Sequence, residues 1–280
     1  MKVVLAGAFG NLGVDILKAL VQDGQEVVAA DMAVKEIEGI HCETRVIDVT
    51  RPETLKGLCQ GADVVITTVG LTRTSATTTN YDIDYQGNLN LLEEAKRAGV
   101  KHFTYISVIQ ADSDPKVPML HAKALFEQKL KESGLSWVIH RPTGYFYDIA
   151  KVFMPMIEKG QVTLLGKQNV HANVIDTPDF ADFIVRHMLE DNKTYNVGGK
   201  ETYSYEEIAR MFFAAAGKPV VIKRAPVFLF DVLAFVNKCK KNGKEAIIRF
   251  SKWTLTHELV GKDVWGDHSF KAYIESCYRK

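Results

Sequence analysis

Short apolar runs and helix-spaced apolar stripes alternate along the first half of the chain, the pattern of a parallel sheet with helices on both faces. Residues 2–6, Lys-Val-Val-Leu-Ala, read as a short buried strand. After a glycine-rich turn, Val14, Leu17, Leu20 and Val21 recur at helical spacing. Residues 26–30 predict a second strand ending at Asp31, and residues 44–47 a third ending at Asp48. Thr50, Pro52 and Glu53 predict a helix opened by a capping box and closed by Gly61. Residues 62–68 predict the fourth strand. The stretch 72–80 is too polar for a core and predicts a loop. A helix with Leu89, Leu92 and Ala95 on one face ends at Gly99, residues 102–108 predict a fifth strand, and a helix spans the region 123–130. Residues 137–140 predict a sixth strand, stopped by Arg141-Pro142.

Beyond residue 143 the alternation loosens. Residues 162–165, 173–175 and 195–197 are short strand-like pieces. Thr177-Pro178-Asp179 opens a helix whose apolar face is Phe180, Ile184 and Met188, and Ser204 with Glu207 forms a capping box before Ile208, Met211 and Phe212. No internal repeat or low-complexity linker interrupts the chain.

At 280 residues, with 46% apolar and 25% charged residues, the chain is long enough to bury its own core. A net charge of +1 gives no global field for nucleic acid or an anionic membrane. Cys42, Cys59, Cys239 and Cys277 show no CxxC spacing, so they read as scattered thiols of a reducing compartment. No apolar run approaches the roughly 20 residues needed to cross a bilayer, and the first residues are too short for a signal peptide, so a cytoplasmic location is expected. His41, His102, His140, His171, His187, His257 and His268 form no HExxH or other metal-ligand spacing, and no GxSxG elbow occurs.

The strongest chemical signal is the first turn, Gly7-Ala8-Phe9-Gly10-Asn11-Leu12-Gly13. A phosphate at a strand-to-helix turn needs free N–H donors and close backbone approach, which side chains would block. Gly7 would allow the tight turn, Gly10 the approach of a pyrophosphate, and Gly13 the packing of helix on strand. The spacing is GxxGxxG rather than GxGxxG, but it follows a strand and opens a helix at the head of an alternating unit. The turn therefore predicts NAD or NADP. Asp31, at the end of the second strand, suits a ribose diol and repels a 2′-phosphate, which favours NAD. Lys35 is near enough in sequence to keep NADP open. Asp48 could meet the adenine edge or simply start a turn.

These residues, with Asp48-Val49 and Thr68-Val69-Gly70, resemble the short-chain dehydrogenase/reductase superfamily, and in particular its atypical NmrA-like and isoflavone-reductase-like branch. Residues 87–92, 98–103, 121–123, 133–135, 141–144 and 176–181 carry the same resemblance, over about residues 1 to 200. It implies a Rossmann-type doubly wound α/β fold, with a dinucleotide-binding domain at 1–143 to which 173–198 returns. A smaller α/β substrate-binding region would comprise 144–172 and 199–280. It places phosphate contacts at Gly7, Phe9, Gly10, Asn11, Leu12 and Gly13, ribose contacts at Asp31 and Met32, and adenine contacts at Asp48 and Val49. Thr68, Val69 and Gly70 would run toward the nicotinamide ribose, with Pro142 and Thr143 on the nicotinamide side.

The superfamily's catalytic pair is Tyr-x-x-x-Lys. Lys123 matches the Lys, but Met119 stands where the Tyr belongs and cannot transfer a proton. A Lys serves as the acid in the isoflavone-reductase-like branch, so Lys123 could hold the ribose and supply the proton. His121 is the nearest alternative donor, though a helix-start histidine facing water is the preferred reading. Ser107 matches the substrate-orienting Ser or Thr, and a polar strand end explains it equally well. Tyr145 and Tyr147 could enter the site as donors or pack with Phe146 as core.

Residues 227–236 are strongly apolar and are followed by Lys238, Lys240, Lys241 and Lys244. A helix packed against the cofactor domain is the expected reading. A membrane-surface helix over 227–244 and a lining for an apolar substrate pocket are the alternatives. The whole predicts an NAD(P)-dependent oxidoreductase passing hydride to or from a small, apolar carbonyl or enone. Its rivals are a non-catalytic NAD(P)-binding redox sensor and, more weakly, a nucleotide-sugar epimerase.

Overall fold

Twelve strands and nine α-helices are found among the described residues, 1–71 and 76–279, of the computed structural model. The strands are β1 (Lys2–Ala6), β2 (Glu26–Asp31), β3 (Glu43–Val46), β4 (Val64–Thr67), β5 (His102–Ile106), β6 (Ser136–Pro142), β7 (Val162–Leu165), β8 (His171–Ala172), β9 (Lys193–Gly198), β10 (Tyr203–Ser204), β11 (Ile222–Ala225) and β12 (Asp263–Val264). The helices are α1 (Asn11–Gln22), α2 (Asn88–Arg97), α3 (Pro118–Lys131), α4 (Phe146–Glu158), α5 (Thr177–His187), α6 (Tyr205–Ala215), α7 (Phe228–Cys239), α8 (Lys244–Thr254) and α9 (Phe270–Ser276).

Eight strands form one sheet in the order β12-β9-β6-β5-β4-β1-β2-β3, and every pairing in it is parallel. The inner strands are continuous apolar runs because helices cover both faces. One face packs Val3, Leu5 and Ile66 against α1 and α5. The other packs Val4, Val65 and Phe103 against α2 and α3. A third core joins α4, α6, α9 and Trp253 and belongs to the later part of the chain. Strand order reverses between β1 and β4, and ligands bind at such a switch point, outside the carboxyl ends of the strands. Two small sheets, β8 with β10 and β7 with β11, complete the fold.

Several sequence expectations change. The capping box at Thr50 and Glu53 does not form. A single 3₁₀ turn, Pro52–Leu55, stands there with no side-chain cap. The Thr50 hydroxyl is drawn to Asp48, Glu53 pairs with Arg51, and Thr54 bonds the carbonyls of Asp48 and Arg51. The box at Ser204 and Glu207 does form, with both reciprocal bonds. The inward face of α1 is Leu12, Ile16, Leu17 and Leu20, with Val14 and Val21 only half-buried at its margins. Residues 173–175 are not a strand, and the antiparallel pairing falls at β8. β12, within the region 199–280, extends the main sheet beside β9. Of the predicted polar loop 72–80, residues 72–75 lie outside the described residues. Before α2 the chain winds as a π-helical turn, Tyr81–Gly87, which no periodicity announced.

A candidate dinucleotide-binding and active site

The carboxyl ends of β1, β2, β4, β5 and β6 bring the glycine turn, Asp31, Thr68–Gly70, Ser107 and Pro142–Thr143 to one edge of the sheet. Gly7 sits just past β1 in the left-handed region, φ +80°, and a Cβ there would lie 2.4 Å from the Thr68 hydroxyl. That hydroxyl instead donates to the Gly7 carbonyl at 3.0 Å, so Thr68 and Gly7 are fitted to each other. A Cβ on Gly13 would lie 2.0 Å from the Gly7 carbonyl oxygen, so only glycine lets α1 rest on the turn.

Gly10 is different. It is exposed, has an ordinary extended conformation (φ −74°, ψ 169°), and a Cβ there would meet only the Gly7 carbonyl, at 3.5 Å. The protein itself does not require a glycine at this position. No side chain caps α1, so the first-turn N–H groups of Asn11, Leu12 and Gly13 point outward beside Gly10. An open cradle of backbone donors at a helix N-terminus is what a pyrophosphate fits. Phe9 and Leu12 are buried beneath it.

Asp31 holds the turn from below. Its carboxylate accepts from the Phe9 amide at 2.9 Å and from the Met32 amide at 2.7 Å. Lys35 donates to the Phe9 carbonyl at 3.0 Å. A carboxylate has four acceptor sites, so Asp31 retains capacity for a ribose diol. Met32 is exposed beside it. Asp48 caps its own turn, accepting from the Thr50 amide and hydroxyl. Val49 is buried against Gly87.

Lys123 is buried, and its ammonium group is the hub of the second half of the site. It lies 3.2 Å from Asp84 Oδ1, and it donates to the Ile106 carbonyl at 3.3 Å and the Tyr105 hydroxyl at 3.4 Å. Asp84 is fixed in turn by the Asn80 amide at 2.9 Å and the Leu71 N–H at 3.2 Å. Asn88, wholly buried, accepts from Thr67 and donates to the carbonyls of Val69, Ile83 and Asp84, tying the π-helical turn to the end of β4. The Val69 amide donates to the Thr67 hydroxyl. A Cβ on Gly70 would come within 2.9 Å of Asp84 and 3.5 Å of the Lys123 ammonium. Asp84, Asn88 and Tyr105 escaped the sequence reading because their importance lies in contacts across the sheet edge.

Ser107 follows β5 directly after Ile106. Its Oγ is buried and has no hydrogen-bond partner. A buried hydroxyl without a partner costs free energy unless something absent from the chain satisfies it. The unpartnered hydroxyl, the open glycine cradle and the buried ammonium together fit a nicotinamide dinucleotide. Pro142 ends β6, and the Thr143 hydroxyl donates to the Asn173 carbonyl at 2.8 Å.

Two expected donors lie elsewhere. His121 is two residues from Lys123, about 200° around a helix, and so faces away from it. Its ring bonds the Tyr81 hydroxyl at 3.0 Å and lines an open depression of about 320 Å³ with Ala111, Pro115 and Leu125. Tyr145 stacks on Tyr147 and packs against Phe180 on the α1–α5 face. Burial pushes its hydroxyl well above the usual tyrosine range. The geometry does not bring these two together with Lys123.

The apolar run 227–236 is also placed differently from the expected reading. α7 leans on α8 and presents Phe228, Leu229, Val232, Leu233, Phe235 and Val236 outward, with only Ala234 fully buried. It does not pack its apolar side on the cofactor layer, and those six side chains stay exposed.

The chain is similar in sequence and in fold to several known proteins. The photosystem II assembly factor Ycf39 of Synechocystis is 27% identical over 261 residues, 91% of this chain and 76% of its own length. The NAD(P)H azoreductase of Xenophilus azovorans is 27% identical over 226 residues, 78% of this chain and 75% of its own. The fold matches the NADPH-dependent quinone oxidoreductase QOR2 of Escherichia coli, complexed with NADPH, at a TM-score of 0.76 and 16% identity, covering 99% of this chain and 100% of that one. The triphenylmethane reductase of Citrobacter gives a TM-score of 0.75 at 18% identity, covering 99% of each chain. At such identities the structures establish the fold. A family model described as NAD(P)H-binding matches residues 7–191. The chain belongs to this NAD(P)H-binding family and shares its fold with the quinone oxidoreductase and the triphenylmethane reductase.

Proposed function

We propose that this protein is a reductase that delivers hydride from NAD(P)H to a small, apolar, conjugated acceptor of the quinone, enone or azo type. The observation that carries the reading is a buried, unpartnered Ser107 hydroxyl one residue along the chain from the Ile106 carbonyl that the buried Lys123 ammonium bonds, at a site where Met119 replaces the tyrosine acid. A simple ketone needs a proton as its oxygen becomes an alkoxide, and a positioned acid supplies it. A conjugated acceptor spreads the incoming charge over its π-system and can take its proton from water afterwards. The missing tyrosine therefore selects against simple ketones more than against quinones or dyes. It also argues against epimerase chemistry, which leans on the same tyrosine.

When bound, NAD(P)H supplies the hydride. Gly10 and the first-turn amides of α1 hold its phosphates, with Phe9, Asn11, Leu12 and Gly13 shaping the cradle. Asp31 and Met32 border the adenosine ribose, Asp48 and Val49 the adenine, and Thr68, Val69 and Gly70 the path toward Lys123. Asp84 fixes the Lys123 ammonium toward the nicotinamide ribose, Ser107 orients the acceptor, and Pro142 with Thr143 forms the far wall. The region 144–172 with 199–280, α7 apart, contributes the apolar side of the substrate site. The Asp31 carboxylate opposes a 2′-phosphate, so NADH is expected to bind more tightly than NADPH despite Lys35.

A second reading, an NAD(P)H-binding regulator without turnover, is favoured by Met119 and by the similarity to assembly factors. NADH oxidation measured against a naphthoquinone, an enone and an azo dye separates the two. The reductase reading expects turnover with at least one of them. Binding of NADH with no oxidation by any acceptor would establish the regulator instead. Replacing Lys123 alone strands a buried carboxylate and is expected to destabilise the fold by about 3–5 kcal/mol. The double variant Lys123→Met with Asp84→Asn removes both charges, so it should fold yet lose about 100-fold in kcat/KM. Undiminished turnover in a folded double variant would remove Lys123 from the site.

A further inference from the structure

Helix α7 is turned inside out relative to an ordinary surface helix. Phe228, Leu229, Val232, Leu233, Phe235 and Val236 are each between 39% and 65% exposed, whereas Ala234, on the side facing the protein, is 1% exposed. At 100° per residue the six outward side chains occupy an arc of about 160°. Single exposed apolar residues are ordinary, but a contiguous set on one element marks a surface that meets something.

Charge is concentrated at the same place. The whole chain carries 35 basic and 34 acidic residues. Between Val227 and Trp253, however, stand Lys238, Lys240, Lys241, Lys244, Arg249 and Lys252 against only Asp231 and Glu245. Asp231 is engaged by Lys252 at 2.7 Å, and Glu245 by Arg249 at 2.8 Å. Among the described residues, no carboxylate pairs with Lys238, Lys240, Lys241 or Lys244. The last turn of α7 and the turn leading to α8 are thus an uncompensated cationic fringe beside an apolar face.

We infer that α7 and this lysine fringe dock the protein on an anionic lipid bilayer, with the helix lying flat among the headgroups. The 12 residues of α7 make a helix of about 18 Å, too short to cross a hydrocarbon core of about 30 Å. An apolar face flanked by lysines is the arrangement by which a helix lies in the interface plane: the apolar side chains enter the acyl boundary while the ammonium groups meet lipid phosphates. A second copy of the chain is a poorer occupant. It would cover the apolar face, but it offers the lysines only Asp231 and Glu245 in the facing segment, both already paired. A bilayer supplies free anionic groups in any orientation.

The test is co-sedimentation of the protein with vesicles of phosphatidylcholine alone and of phosphatidylcholine mixed with phosphatidylglycerol. The expected result is binding to the mixed vesicles that exceeds binding to the neutral ones by roughly tenfold at low salt and declines as salt screens the lysines. Phe228→Ser with Phe235→Ser should abolish sedimentation with either vesicle. Lys240→Glu with Lys241→Glu should erase the preference for anionic vesicles. NADH binding, measured by its fluorescence in both variants, should be unchanged and so report an intact fold. Failure of the native protein to sediment with either vesicle would overturn the inference. So would vesicle binding that survives the two Phe substitutions, or a lipid-free dimer, seen by light scattering, that those substitutions dissolve. The last result would assign the face to a second copy.

Discussion

At the scale of single residues, His140 departs furthest from its ordinary chemistry. It lies in the middle of the sheet on β6, wholly buried, with both ring nitrogens unpartnered. Phe180, Phe183 and Tyr195 surround it at ring distances of 5.6–6.1 Å. Burial first, and the neighbouring His187 second, pushes its pKa down to about 3. The folded state therefore holds His140 neutral, while the unfolded chain protonates it near 6.5. Below that value the unfolded state binds more protons, so stability is full above about pH 6.5 and is lost progressively as pH falls toward 3. From pH 6.5 to 5 the loss from this one group amounts to about 2 kcal/mol. Urea titrations at pH 7 and pH 5 measure it. His140→Phe should lose about 2 kcal/mol less between the two pH values than the native protein, whatever the substitution costs at pH 7. An equal loss in both proteins would show that other groups carry the acid sensitivity. Nothing in the sequence distinguished this histidine from the seven others. Only the aromatic cage, drawn from β9 and α5, makes it unusual.

At the scale of elements, the glycine turn separates two kinds of glycine that look alike in sequence. Gly13 is demanded by the fold, because a Cβ there would lie 2.0 Å from the Gly7 carbonyl oxygen. Gly10 is not, because its conformation suits any residue and its surroundings are open. Gly13→Ala is thus expected to push α1 off β1, destabilising the protein by about 1–3 kcal/mol and weakening NADH binding with it. Gly10→Ala should leave the melting temperature unchanged or slightly raised, since alanine narrows the unfolded ensemble. Its NADH dissociation constant should nonetheless rise about tenfold or more. Calorimetric melting beside fluorescence titration of the two variants checks the contrast. A Gly10→Ala protein that binds NADH normally would mean the cradle is not where the phosphates sit. The strands at β1, β2, β5 and β6 and the turn itself were legible because buried parallel strands are continuous apolar runs and the turn has a fixed grammar. The 3₁₀ turn at Pro52–Leu55 and the π-helical turn at Tyr81–Gly87 were not. The first is set by side-chain bonds of Asp48, Arg51, Glu53 and Thr54 within its own turn, the second by bonds between distant segments, such as Asn88 to Val69. α7 was legible as a helix but not in orientation, since an apolar stripe does not state which way it faces.

At the scale of the whole molecule, the division into a nucleotide layer and a later region is also a question of how the chain unfolds. The third core gathers α4, α6, α9 and Trp253, while α5 packs on α1, and β9 and β12 complete the main sheet. The chain therefore passes from the sheet to the later region and back more than once, and neither part is continuous in sequence. Loss of the third core would release the ends of α5, β9 and β12, and with them the edge of the sheet. A single cooperative transition is expected, with the two parts unfolding together. The three tryptophans report on the three cores separately: Trp137 beside the α2–α3 face, Trp265 beside the α1–α5 face, and Trp253 within the third core. Variants retaining one tryptophan each, the others replaced by phenylalanine, should show coincident urea midpoints after each variant's own stability is measured by circular dichroism. NADH at about 100 times its dissociation constant should raise all three by the same increment, about 2.7 kcal/mol. A Trp253 signal that melts early, and that NADH fails to shift, would show instead that the later region opens independently. Cofactor binding would then secure only the sheet, leaving the substrate side free to move.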